Sequence, residues 1–293
     1  MDSNKLIKVS SITKKLVVAL FGAFLLLFLL FHMCANLCVL RNDEGAWYSA
    51  FCHFMGTNIF VKIFEVVLLA CFALHIVLAL WLQVENKKAR PVGYQKPSKT
   101  RTAKGSKLMM LTGILILAFL VMHFCQFYFV KIGWIEGQYM VQQDDLNVAV
   151  MDLQRQMESG DVVFEDETDL NQLQSVFQEF YEGGQMTTDM KWVKQINPEQ
   201  KRILKSVMPE LDVEPDFYYM ARNLFKNPVM VLLYLIAFVV LWIHMRHAFE
   251  SAFQTLGLNN YKYNRAIEIV GVVYSWVVCL GFAVVPLCVF FFF

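Results

Sequence analysis

Residues 228–252 read PVMVLLYLIAFVVLWIHMRHAFESA, and this stretch decides the fold class. About 20 apolar residues in a helix span the roughly 30 Å of a bilayer's hydrocarbon core, so the run is long enough to cross a membrane. Four more runs of the same kind lie near 16–40, 60–84, 108–132 and 267–290. None alternates with period two, and a helix satisfies its own backbone inside lipid, so helices rather than barrel strands are expected. The first run is not a cleavable signal: Leu16 to Leu30 is too long an apolar core, and no small-residue cleavage pattern follows in Phe31 to Val39.

Composition agrees. Of 293 residues, 57% are hydrophobic and 17% charged, against roughly 45 to 50% and about 25% in a soluble domain. The 26 Phe and 15 Met beside only 7 Pro and 14 Gly suit helices in hydrocarbon. A net charge of +1 argues against a nucleic-acid partner and against an acidic disordered chain. Cysteines number seven, only Cys52 lies outside an apolar run, and no disulfide framework is implied. There is no internal repeat and no low-complexity tract beyond Phe290–Phe293.

Positive charge sets the expected orientation. Lys5, Lys8, Lys14 and Lys15 precede the first run, and Lys87, Lys88, Arg90, Lys96, Lys99, Arg101, Lys104 and Lys107 fall between the second and third. By the positive-inside rule both segments are cytoplasmic. Lys262 and Arg265 between the fourth and fifth runs agree. The N-terminus is then inside and the C-terminus outside, in a multi-pass protein of the inner (cytoplasmic) membrane. Three segments follow: 1–132, with membrane helices one to three; 133–226, an extracytoplasmic insertion; and 227–293, with helices four and five. Within 133–226 there are 18 acidic and 8 basic residues, a local charge of −10. Short amphipathic helices are expected near 141–158, near 168–182 with a stop at Gly183 and Gly184, from Asn197 and Pro198, and from Asp216 into the fourth membrane helix. An acidic cap on the helix ends or a surface for another protein both fit its charge.

Four histidines lie within the runs, one per helix: His32, His75, His123 and His244. Imidazole inside a membrane is expensive and faces a partner. His32 and His123 lie 16 and 15 residues from the inner ends of their runs, whereas His75 and His244 lie 9 and 8 residues from theirs. At 1.5 Å per residue the two levels are roughly 10 Å apart. Two facing imidazoles at each of two levels in a four-helix bundle are what two stacked b-type haems require. Zinc or copper is the competing chemistry, with only Cys34 and Cys125 at matching depth. No Cys-x-x-Cys-His is present, so covalent c-type haem is excluded. An iron with two histidine ligands has no vacant position and carries electrons.

The stretches Leu30-Phe31-His32, Ala73-Leu74-His75, Val121-Met122-His123 and Trp242-Ile243-His244, with His247-Ala248-Phe249-Glu250-Ser251-Ala252-Phe253-Gln254-Thr255-Leu256-Gly257-Leu258, resemble the dihaem cytochrome b subunit of succinate dehydrogenase and fumarate reductase. The likeness is to the single-anchor form with five membrane helices. It covers all five helices, is most specific over His244–Leu258, and leaves 140–220 uncovered. The resemblance implies two haem b groups: one held by His75 and His244 nearer an iron–sulfur partner, the distal one by His32 and His123. It further implies a flavoprotein subunit that oxidises succinate or reduces fumarate, an iron–sulfur subunit, and electron exchange with quinone, menaquinone or ubiquinone, in a respiratory chain. Some fumarate reductases of this type carry Glu two residues before the fourth ligand; here that position is Trp242, which argues against a proton conduit built on it. A cytochrome b of another quinone-linked dehydrogenase, such as a hydrogenase or formate dehydrogenase, and a histidine-lined ion or metal transporter are the competing classes.

The remaining titratable residues are weighed singly. Arg246 is an inner-interface anchor or a haem-propionate contact. His53 is a solvated loop histidine or lies at a quinone mouth. Glu65 falls five residues into the second run near the His32–His123 level, and is the candidate for proton exchange with quinone, against a carboxyl that only bonds a neighbouring helix. The basic segment Glu85–Lys107 either borders the iron–sulfur subunit or contacts membrane lipid.

Overall fold

The computed structural model describes residues 10–89, 101–160, 167–184, 191–258 and 260–293, with the side chains of 101–107 and 167–169 left outside that description. Five helices are long and apolar enough to cross a membrane. They are α1 (Ser11–Leu37), which continues through a tight turn at Cys38–Leu40; α3 (Ile59–Ala89); α4 (Arg101–His123), prolonged by a π turn at Phe124–Tyr128 and a last turn α5 (Phe129–Lys131); α10 (Pro228–Thr255); and α11 (Asn264–Phe292). Between the first two lies α2 (Ala46–Thr57).

Two compact units are present. The first takes in the described residues of Met1–Leu40, Met55–Val121 and Asn227–Phe293; the second, Arg41–Phe54 and those of Met122–Lys226. In the first unit α1 packs on α3, α10 and α11, and α10 packs on α11. Close approach is built from small residues: a side chain at Gly281 would run into Met33, and one at Gly271 into Phe249. Tyr274 donates its hydroxyl proton to the Leu26 carbonyl, tying α11 to α1. α4 meets α10 through Phe119, whose ring lies 5.0 Å from that of Tyr234 and 6.3 Å from that of Phe238. Lys14 is buried, 2.5 Å from Glu85 Oε1 and 4.3 Å from the Trp81 ring, so one of the N-terminal charges is spent joining α1 to α3. On α3 the side chains of Ile63, Phe64, Val66 and Val67 are exposed, an apolar surface that water does not tolerate but hydrocarbon does.

Helix ends follow local chemistry. Ser10 caps α1 by accepting from Thr13 N, and Asn227 followed by Pro228 opens α10. α1 begins five residues before its apolar run because that cap sits at Ser10. α3 runs on to Ala89 through Glu85, Lys87 and Lys88, whose straight side chains favour helix once the apolar run is over.

In the second unit a three-stranded antiparallel sheet has the order β2-β1-β3, from β1 (Tyr139–Gln142), β2 (Trp192–Ile196) and β3 (Glu214–Pro215). Tyr139 pairs with Ile196 and Gln142 with Trp192, a bulge separating the two registers. Beside α5 and most of α2 it holds α6 (Gln143–Ser159), α7 (Glu167–Glu182), α8 (Pro198–Val207) and α9 (Phe217–Phe225). Asn197 and Gln200 form a reciprocal capping box at the start of α8. α9 and α10 are separate helices, divided at Lys226 and Asn227, where one helix running into the membrane was expected. The core gathers Leu146, Val176, Phe180, Val193, Ile196 and Leu204. The segment Arg41–Phe54 belongs to this unit. Gly45 has φ +77° and lies against the Tyr218 ring, and Lys194 Nζ donates to the Glu44 carbonyl.

Candidate functional site

The ring of His75 on α3 points at α1, with Nδ1 3.2 Å from the Val18 carbonyl oxygen. A carbonyl only accepts, so Nδ1 carries the proton and Nε2 carries the lone pair. His244 on α10 reaches the same state by another route. Its Nδ1 is 3.0 Å from Thr112 Oγ1 on α4, and that hydroxyl is also 2.9 Å from the Leu108 carbonyl and 3.1 Å from that of Met109. The single hydroxyl proton goes to its own helix, so the oxygen accepts from His244 Nδ1–H. Both histidines thus have one nitrogen anchored by a different helix and the other in ligand form, the outer-shell pattern of a metal-ligating imidazole. His75 and His247 lie near enough to His244 for charge on either ring to act on it.

Glycine stands beside each ring. A Cβ at Gly22 on α1 would lie 3.3 Å from His75 Cε1, and one at Gly113 on α4 would lie 3.6 Å from His244 Cε1. The chemistry of the donor set, two neutral imidazoles with Nε2 lone pairs, fits a haem held by histidines, and the glycines let the two rings lie close to α1 and α4. Among the described residues no group of three or more His, Cys, Asp and Glu is placed to hold a metal ion.

His32 lies on α1 in the first unit. Its ring stacks on Phe28 at 5.3 Å and meets Phe282 at 5.7 Å, and Asn36 donates to its carbonyl at 2.7 Å with the amide nitrogen 3.4 Å from Nδ1. His123 closes α4 in the second unit, its ring 5.2 Å from Phe127 and its helix widening at once into the π turn. Single π turns inside helices often mark functional positions. In the second unit Phe127 also lines a cleft of about 330 Å³, with Gln126, Glu136, Met220, Asn223 and Leu224 around it.

Glu65 is half-buried on α3. Arg246 has its guanidinium 5.8 Å from the Trp242 ring one turn back, and Trp242 packs 4.9 Å from Trp276 with its buried indole N–H lacking a partner among the described residues. His53 is not the solvated loop histidine that was one expectation. It stands on α2 with Nδ1 2.8 Å from Glu214 Oε1, Nε2 2.9 Å from the Gln142 amide nitrogen, and its ring edge-on to Trp192. Burial raises the pKa of Glu214, Asp212 and Asp145 add to the rise, and His53 opposes it. Burial pushes the Cys52 thiol up to about 12, so it stays protonated and unreactive. Of the basic segment Glu85–Lys107, Arg90, Lys96 and Lys99 lie outside the described residues.

Sequence reasoning missed Val18, Thr112, Gly22 and Gly113. Thr112 and the glycines carried a signal, a polar or minimal residue interrupting an apolar run; Val18 acts through its backbone and carried none. Comparison of the chain with family profiles, with curated proteins and with solved structures finds no match.

Proposed function

We propose that this chain is the membrane-anchor cytochrome b of a succinate:quinone oxidoreductase, succinate dehydrogenase or fumarate reductase. His75 and His244 hold the inner haem b, and His32 and His123 hold the outer one. The observation that carries this reading is the matched state of His75 and His244: each is anchored at Nδ1 by a neighbouring helix, offers Nε2, and stands beside a glycine. Bound haem supplies one-electron carriage between an iron–sulfur partner and quinone.

The chain's own residues do the rest. Val18 and Thr112 fix the two inner rings, so no imidazole rotation has to be frozen when the ligand binds. Gly22 and Gly113 let the rings lie close against α1 and α4. Arg246, whose guanidinium lies 5.8 Å from the Trp242 ring, pairs with a haem propionate. Glu65 gives and takes the proton at a quinone carbonyl oxygen near the outer haem. The contact of His123 with Phe127 favours a second seat for the quinone ring, the cleft beside Phe127. The N-terminus and the basic segment Glu85–Lys107 face the cytoplasm, where that segment borders the iron–sulfur subunit.

Mild-detergent purification with a visible spectrum tests the proposal. Two low-spin b haems per chain and co-purifying flavoprotein and iron–sulfur subunits are expected. Replacing His75 or His244 should remove the inner haem alone, and replacing His32 or His123 the outer haem alone. A preparation holding one haem or none refutes it, and two haems with a different dehydrogenase moves the chain to another quinone-linked enzyme.

A further inference from the structure

The helix α2 has two opposed faces. At 100° per residue Ser49, Cys52 and His53 fall on one side, and Trp47, Phe51 and Phe54 at i, i+4 and i+7 fall about 180° away. The first face packs within the second unit: Ser49 is 2% exposed, and His53 bonds to β1 and β3. The second face points outward, with Trp47 42% and Phe54 52% exposed, and the Trp47 and Phe51 rings stacked at 5.3 Å. The same unit presents another apolar group just after α5, where Trp134 is 74% exposed beside Ile132 and Ile135. Exposed aromatic groups of this kind mark an interaction surface.

Chain connectivity names what covers them. The first span ends at Leu40, the second begins at Ile59 and the third ends at Lys131. Spans that cross in turn put these three ends at one and the same membrane boundary. The 12 residues of α2, about 18 Å of helix, therefore have both ends tethered there, by 41–45 on one side and by Asn58 alone on the other. Residues 41–45 are folded as a turn, with Ala46 N donating to the Asp43 carbonyl, so that tether is not stretched and both ends of α2 stay at the boundary. Trp134 and Ile135 are within four residues of Lys131 and are held to the same level. In the first unit the second span opens with the exposed Ile59 and Phe60. Beside the aromatic face Arg41 lies over the Trp47 ring at 5.5 Å, and along the chain Lys62 and Lys131 fall at the boundary ends of the second and third spans. Tryptophan and phenylalanine below, with basic side chains at the phosphate level, are the chemistry of a bilayer interface.

We infer that Trp47, Phe51 and Phe54, together with Trp134 and Ile135, seat the second unit on the bilayer, with α2 lying flat in the headgroup–acyl boundary. Its Ser49–Cys52–His53 face packs within the unit, so the acidic insertion is held at the membrane surface by lipid contact as well as by its chain connections.

The test uses the full complex in vesicles of phosphatidylcholine and phosphatidylglycerol doped with a phosphatidylcholine that carries a diazirine near the glycerol. After illumination, cleavage following Arg41, Lys62, Lys131 and Arg155 releases peptides that isolate the two patches. Lipid adducts should fall on Trp47, Phe51 or Phe54 and on Trp134 or Ile135, several-fold above Ser49, Cys52 and His53. The double variant Trp47→Ser/Phe54→Ser should lower labelling of the 42–62 peptide several-fold while the span peptides keep theirs. Three outcomes overturn the inference: no adducts on this peptide while the spans are labelled, equal labelling of both faces, or a protein cross-link in place of lipid.

Discussion

Replacing Thr112 by valine keeps the shape of the side chain and removes only the oxygen that accepts from His244 Nδ1–H at 3.0 Å. A buried donor left without its partner costs about 1–3 kcal/mol. At about 1.4 kcal/mol per tenfold, that is roughly 5- to 150-fold in any equilibrium requiring the ring in its present orientation. Loss of outer-shell partners weakens metal sites by about 10- to 100-fold, the same range. Thr112→Val should therefore loosen the inner haem by one to two orders of magnitude and leave the outer haem untouched. Haem content per chain, release of haem to an acceptor protein, and the low-spin resonance signals of the two irons separate the cases. Thr112→Ser should restore the wild-type values, since it returns the hydroxyl without the methyl. Wild-type retention and an unchanged inner signal in Thr112→Val would refute the anchoring of His244, whereas a wild type without haem would refute the proposed function itself.

Glu65→Gln should leave both haem spectra and succinate oxidation by an artificial acceptor intact while quinone-linked turnover collapses; normal quinone turnover would take Glu65 out of the proton path. Gly45→Ala should destabilise the second unit by about 2 kcal/mol or more, because φ +77° strains any L side chain by about 1–2 kcal/mol and the added carbon meets the Tyr218 ring; faster amide exchange in β1 and β2 is the readout. Glu214 and Asp216 have pKa values raised chiefly by burial. Their stabilising contribution is thus complete below the ordinary carboxylate range and is lost as pH rises through the raised folded values. Exchange protection of β1 and β3 should fall as pH rises above the ordinary carboxylate range, and Glu214→Gln with Asp216→Asn, which keeps an acceptor at the α9 cap, should flatten that slope.

The five long helices were legible because a run of 20 or more apolar residues has one low-energy form in hydrocarbon. Their ends were less so, since caps and straight charged side chains extend helices past the apolar run, as Ser10 and Lys87 do. In the insertion, Gly183–Gly184 and Asn197–Pro198 mark helix ends that appear where the turn chemistry puts them. The sheet left no comparable mark. Its strands hold four, five and two residues, too short for a period-two pattern to emerge, and Tyr139 pairs with Ile196 far along the chain. For the same reason His53 could not be placed from its neighbours: its partners Gln142 and Glu214 lie 89 and 161 residues away.

The inner histidine pair bears on whether such residues are ligands or merely packed. His75 and His244 each hold a hydrogen bond at Nδ1, and among the described residues neither has one at Nε2. The anchoring groups belong to α1 and α4, not to the histidines' own helices, so each ring is oriented only once α1 meets α3 and α4 meets α10. Helix packing therefore carries the entropy cost of fixing two imidazoles before any ligand arrives. A glycine stands beside each ring, and at Gly22 a Cβ would come within 3.3 Å of His75 Cε1, so the missing side chain lets the ring lie close against α1. If the two histidines hold a haem, this arrangement presents both rings already oriented, with Nε2 left as the ligand atom.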